Sequence, residues 1–246
     1  QIDRVGVFDD FFALGGHSLL VTRMAQLVRK CMHQDLPLQV FIEHTNIAEL
    51  AEQIVPRMSS SLVELRPIQR GQPLPLAFMQ ERLYFLEKLG IMGHSYHCPL
   101  NLRLHGPLDV RVLQRSLNEI IRRHEILRTV VQEIDGEPVQ VLLSKKELDL
   151  PIVDLRSTPP LLREQVSKAR SAEDTQRPFA FDREPPFRAL LLFLDEREHV
   201  LVLTIHHMAY DGRSADIIVQ ELRALYSSFV RGEPSPLPEP IYQFVD

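Results

Sequence analysis

The sequence predicts an α/β unit, a sheet carrying helices, preceded by a small all-helical unit. Three observations support this. Between Leu20 and Ile54 the apolar residues fall at helical spacings. Between Pro56 and Pro73 the composition turns to proline, glycine and a run of serines, as in a linker. From Pro73 onward, helical and alternating patterns take turns, as in a sheet with helices laid on it. The expected division is 1–55, a linker at 56–72, and 73–246.

The elements follow in order. Residues 7–14 are an apolar, aromatic lead-in that Gly15 and Gly16 break. Leu20, Met24, Leu27, Val28 and Cys31 then line one helix face. A short helix fits 46–54, with Thr45 as candidate N-cap and Ile47, Leu50, Ala51 and Ile54 inward. Residues 79–89 read as helix. Leu100, Leu102 and Leu104 alternate, as in a half-buried strand. Val110, Leu113, Leu117, Ile120, Ile121 and Leu127 make one helix face. "TVVQEIDGEPVQVLL" is a hairpin around Asp135-Gly136. A helix over 161–176 comes next. "FRALLLFLDEREHVLVLTIHH" is two strands joined by a charged turn, and the second is apolar enough to be covered on both faces. Residues 214–230 form an amphipathic helix with Ile218, Leu222, Leu225, Tyr226 and Phe229 inward.

Bulk properties exclude several classes. A chain of 246 residues has ample core for one large domain or two smaller ones. With 44% hydrophobic and 25% charged residues it is ordinary for a globular protein. A net charge of −5 argues against a nucleic-acid partner. No apolar run approaches the roughly 18 residues of a membrane span. The first ten residues are polar and acidic, unlike a signal peptide. Cys31 and Cys98 make no disulfide framework, so a reducing cytoplasm is the expected compartment. The chain lacks an initiating Met and is expected to be a piece of something longer.

The first chemical feature is "FFALGGHSLL". Ser18 stands at a helix start, where a serine commonly caps free N–H groups for about 1 kcal/mol. Its setting suits another use. The free amides and positive dipole end of a helix favour a phosphate. Glycines just before it let a bulky partner approach the backbone. "GVFDDFFALGGHSLL" closely resembles the thiolation motif of peptidyl carrier domains in nonribosomal peptide synthetases. "FIEHTNIAELAEQI" resembles the closing segment of the same domain. The resemblance implies that Ser18 carries covalent 4′-phosphopantetheine, attached by a phosphopantetheinyl transferase. It also implies a helix upstream of the residues seen here, which would make the carrier unit incomplete.

The second feature is "LTIHHMAYDGRS". His206 and His207 end a buried strand, so they point to opposite faces. A histidine is the natural general base near neutral pH. The Gly212 amide suits approach to a developing oxyanion. The histidine pair also suits a structural role, and Asp211 suits capping of the next helix. A metal site is not expected, because adjacent strand histidines diverge and no further ligand stands at useful spacing.

The pattern His-His-x-x-x-Asp-Gly resembles the core motif of condensation domains, relatives of chloramphenicol acetyltransferase. "PLAFMQERLYFLEKL" resembles their opening motif, with Ala77 where serine is usual and Tyr84 where tryptophan is frequent. "RRHEILRT" resembles their second motif, and "IYQFVD" the close of the first lobe. The resemblance implies an acetyltransferase-like N-terminal lobe over 73–246. It implies His207 as the catalytic or positioning base and His206 packed inward. Asp211 would be structural, paired with Arg123 rather than Arg128, and Gly212 would keep space open beside a channel. The implied reaction joins the carrier's acyl or peptidyl thioester to the amine of a downstream aminoacyl thioester. The implied partners are an upstream adenylation domain, a second condensation lobe and a downstream carrier. The segment by itself is expected to be inactive. Three alternatives stay open: an epimerization-type relative, an ester-forming acyltransferase and a non-catalytic carrier-plus-lobe. An epimerization domain usually continues with Ser-Trp, where this chain reads "DGRSADI".

Overall fold

The computed structural model describes residues 5–32, 34, 36–54, 66–90, 93–144 and 147–246. The chain divides into two units, Gln1–Glu64 and Leu65–Asp246. Of the expected linker, 56–65 lies outside the described residues. Residues 66–72 are not a free linker. Arg70 pairs with Glu125 and with Asp246, both at 2.7 Å, and the Ile68 amide donates to Asp246. Proline and glycine signal irregular backbone, and irregular backbone can still be anchored by its side chains.

The first unit holds α1 (Ser18–Met32), α2 (Leu38–Glu43) and α3 (Ile47–Gln53). Val21, Phe41 and Leu50 are its buried centre, with Phe11, Met24 and Val28 packed around them. The cap of α3 is Asn46, whose side chain accepts from the Glu49 amide. Thr45, the expected cap, donates instead to Asp10 at 2.5 Å. The aromatic lead-in is tied to this corner, with Phe11 N donating to Thr45 O and Ala48 N to Val7 O.

The second unit begins with β1 (Leu74–Pro75), α4 (Phe78–Lys88), β2 (His97–His105) and α5 (Val110–Arg123). A 3-10 turn at Glu125–Arg128 leads into β3 (Thr129–Ile134) and β4 (Glu137–Leu142). Then come β5 (Ile152–Asp154), α6 (Pro160–Gln176), β6 (Phe187–Asp195), β7 (Glu198–His206) and α7 (Ser214–Val230). A three-stranded sheet runs β1-β4-β3, and a four-stranded sheet runs β2-β7-β6-β5. The hairpin turns at Asp135 and Gly136, both with positive φ (54° and 84°), as a type I′ turn requires. Leu127 lies on the 3-10 turn, not on α5 as expected, because His124 is extended and ends the helix.

The larger sheet positions the site. One face meets α5 and α7: Leu191, Leu201, Leu203 and Ile205 pack on Leu117, Ile120, Ile218 and Leu225. On the other face Leu190, Leu192, Val200 and Val202 cluster, and α6 lies against β2, β6 and β7. Burial of each large aliphatic chain contributes about 1.5–3 kcal/mol. A strand covered on both faces must be apolar at every position. That is why β7 shows no alternation.

Candidate functional site

Ser18 is the first residue of α1 and is exposed. Among the described residues its hydroxyl has no hydrogen-bond partner, so it caps nothing. The two glycines before it are required by shape. Gly15 sits at φ +92°, a region other residues avoid. A Cβ on Gly16 would stand 2.3 Å from the Phe11 ring and 2.5 Å from the Phe11 carbonyl oxygen. The first turn of α1 holds no acidic residue, so its positive end is free for an anion.

In the second unit, the end of β7 sorts the two histidines. His206 is 0% exposed, whereas His207 is exposed. The strand ends at His206, not at His207 as expected, and His207 opens the turn that carries the chain out of the covered sheet. The His206 ring lies among His97, Phe179 and Phe181, at centroid distances of 5.8, 6.0 and 4.8 Å. Burial, reinforced by His97 and His207, pushes its imidazole down to about 3. It is therefore neutral at physiological pH. The His207 amide donates to Tyr96 O at 2.8 Å. The His207 ring makes no hydrogen bond among the described residues.

Glu87, His97 and His206 bring one donor atom each within 4.8 Å of the others, a grouping that primary-structure spacing did not reveal. Their hydrogen bonds speak against a metal. Met208 N donates to His206 Nδ1 at 3.1 Å, so the ring proton sits on Nε2. That proton faces Glu87 Oε1 at 3.2 Å. Ligation through Nε2 would move the proton to Nδ1, against an amide donor. His206 and Glu87 form a hydrogen-bonded pair, with His97 beside them bonded to Thr175 O.

Acid is expected to destabilise this unit. The unfolded His206 takes a proton near 6.5 and the buried one near 3. Between those values the unfolded chain binds a proton that the folded chain refuses. Stability is thus full above about 6.5 and falls by about 1.4 kcal/mol per pH unit below it. His97, also pushed down by burial, adds to the loss. Glu87, pushed up by burial, offsets part of it. Thermal midpoints between pH 7 and 4 check this, and a flat profile refutes it.

A buried arginine that sequence reasoning overlooked supports the same pocket. Arg188 looks out of place in the apolar run of β6. Its Nη2 donates to the carbonyls of Asp174 and Arg177, both at 2.5 Å, closing the end of α6. Thr204 Oγ1 donates to the Asp174 carboxylate at 2.7 Å. His97 Nδ1 donates to Thr175 O at 2.6 Å. No periodicity flags such a residue.

The expected pairing of Asp211 with Arg123 is not formed. Asp211 is exposed, and its Oδ1 accepts from the amides of Arg213 and Ser214 and from the Ser214 hydroxyl. Those donors, the Ser214 hydroxyl foremost, hold its carboxyl below the usual range. Arg123 is 4% exposed and donates to Pro238 O at 2.7 Å and Leu237 O at 3.5 Å. Glu221 on α7 lies 3.6 Å from it. Each group meets partners closer than the other. Arg128, the less favoured candidate, donates to Leu143 O. Gly212 is exposed, and a Cβ there would meet nothing within 4 Å. Arg123→Ala is expected to cost about 3–5 kcal/mol, since Glu221 and two carbonyls lose a buried cation. Asp211→Ala is expected to cost about 1 kcal/mol, as loss of a helix cap does. Urea midpoints of the two variants measure the difference, and equal losses would refute it.

Comparison with known proteins settles the kinship. Residues 71–245 match the condensation-domain model, and residues 1–54 match the phosphopantetheine attachment site model. The chain belongs to the condensation-domain family. The chain is 40% identical over 243 residues to one of the linear gramicidin synthase proteins of Brevibacillus parabrevis. That match covers 96% of this chain and 5% of that protein. The X-domain from teicoplanin biosynthesis is 31% identical, with a TM-score of 0.65, over 72% of this chain and 37% of that one. The first condensation domain of the calcium-dependent antibiotic synthetase shares the fold, at 22% identity and a TM-score of 0.62. There the match covers 68% of this chain and 40% of that one. Among the described residues no helix is long and apolar enough to cross a membrane.

Proposed function

We propose that this carrier and condensation segment forms amide bonds in a nonribosomal peptide synthetase. The 4′-phosphopantetheine group fits at Ser18, whose hydroxyl is exposed and, among the described residues, unpartnered. When bound, the group supplies a thiol that carries an acyl or peptidyl chain as a thioester. Ser18 anchors it after reaction with a phosphopantetheinyl transferase. His207 would hold the amine of a downstream carrier in place, or take its proton and return one to the departing thiol. His206 stays neutral and buried behind it. Asp211 shapes the turn into α7, and Gly212 leaves the approach to His207 open. Upstream loading falls to an adenylation domain.

One observation carries this reading: an exposed imidazole, free of hydrogen bonds among the described residues, stands directly after the buried strand β7. The backbone amide of His207 is held by Tyr96 O, and its ring is open to an incoming group. The test loads both carriers in the full-length polypeptide that carries this segment and looks for the dipeptidyl thioester by mass spectrometry. Its absence overturns the reading. A second reading follows from the X-domain likeness, since an X-domain is known in complex with OxyB. On that reading the segment docks another protein and makes no amide.

A further inference from the structure

The turn after β7 is pinned by the buried histidine, and that histidine is held by one carboxylate. Three successive amides leave His206, and each has a partner. His207 N donates to Tyr96 O at 2.8 Å, and Ala209 N donates to His206 O at 2.9 Å. Met208 N donates to the His206 ring itself, at Nδ1. The ring therefore acts as an acceptor for the backbone that sets the direction of His207. It can do so only with its proton on Nε2 and its plane turned one way.

Glu87 supplies the other half of that condition. Its Oε1 lies 3.2 Å from Nε2, and its side chain is 16% exposed. Among the described residues the rings around it are those of His97, Phe179, Phe181 and Tyr96. Among the described residues only Glu87 accepts the Nε2 proton. Leu83 and Tyr84, one turn earlier on α4, pack with Met208 and Phe181, so the helix bearing the carboxylate is fixed to the same turn. A ring rotated by a half turn would face Met208 N with carbon and lose both bonds.

We propose that Glu87 is a positioning residue: it holds His206 in one tautomer and one ring orientation, and so fixes the direction in which His207 leaves the strand. The role in turnover rests on the function proposed above for His207. The role in the turn does not.

The test has two arms. On the 246-residue chain, 15N-labelled histidine reports the tautomer of His206, with His206→Gln giving the assignment. Hydrogen exchange reports the Met208 amide. The wild type is expected to show the Nε2–H form and a protected amide. Glu87→Gln keeps an acceptor oxygen and is expected to preserve both. Glu87→Leu removes the acceptor and is expected to expose the amide. In the full-length polypeptide, Glu87→Leu is expected to lower kcat for amide formation by about tenfold or more, with KM for the acceptor unchanged. Glu87→Gln is expected to stay near the wild-type rate. An Nδ1–H form in the wild type would overturn the proposal. So would a Leu variant equal to wild type in exchange and rate, or a Gln variant as damaged as the Leu one. If the Leu variant does not fold, the wild-type tautomer and the Gln variant decide. A wild type that makes no amide removes the proposed function, while the tautomer and exchange still decide the role of Glu87.

Discussion

Ser18→Ala is expected to abolish attachment of 4′-phosphopantetheine completely. The attachment needs a hydroxyl that an enzyme can reach, and Ser18 offers one that is exposed and, among the described residues, unpartnered. The turn before it allows little substitution. Gly15 is held at φ +92°, and Gly16 is pressed against Phe11. No other serine in the sequence follows a Gly-Gly pair so closely. Incubation of the full-length polypeptide with coenzyme A and a phosphopantetheinyl transferase, followed by intact-mass analysis, should show one added group in the wild type and none in the variant. The variant should keep its stability within about 0.5 kcal/mol, as an exposed site does. A loss of about 1 kcal/mol would point to a helix cap instead. Modification that persists in the variant would defeat the assignment.

The two histidines should separate chemistry from folding. His207→Ala is expected to lower amide formation by about 10²- to 10⁴-fold, the span typical of a lost general base. The exposed ring touches little, so stability should stay within about 0.5 kcal/mol. His206→Ala should do the reverse. It removes a fully buried ring, strands the Glu87 carboxylate and leaves the Met208 amide without its acceptor. Each unsatisfied buried group costs about 1–3 kcal/mol, and the cavity adds to it. Urea midpoints and single-turnover product formation should therefore rank the variants in opposite orders. The same order in both measurements would show that the division of labour is wrong.

Legibility in the sequence followed length and locality. The helix ending at Val230, the β6–β7 pair and the Asp135-Gly136 hairpin stood out, because their patterns run over many residues or rest on a specific turn chemistry. Two short pieces, α2 and β5, did not. Six residues of α2 and three of β5 are too few for any period to show. The functional candidates Ser18, His206 and His207 were legible because each belongs to a compact motif. The partner of Asp211 was not. A motif tells which residue types are present and says nothing of distance, so two opposite charges looked like a pair although each had nearer partners. Glu87 and Arg188 were hidden for a related reason. One looks like a surface glutamate on a helix and the other like an interruption in a strand, until the fold sets them beside His206 and the end of α6.

The clasp at the edge of the second unit has a mechanical consequence. Ile68 and Arg70 meet Asp246 there, Glu125 joins Arg70, and Gln243 bonds the Glu125 and Arg123 backbone. Residues 68 and 246 therefore lie at nearly the same point. Tension applied between residues 68 and 246 would load the Ile68–Asp246 and Arg70–Asp246 contacts before it reached the sheet.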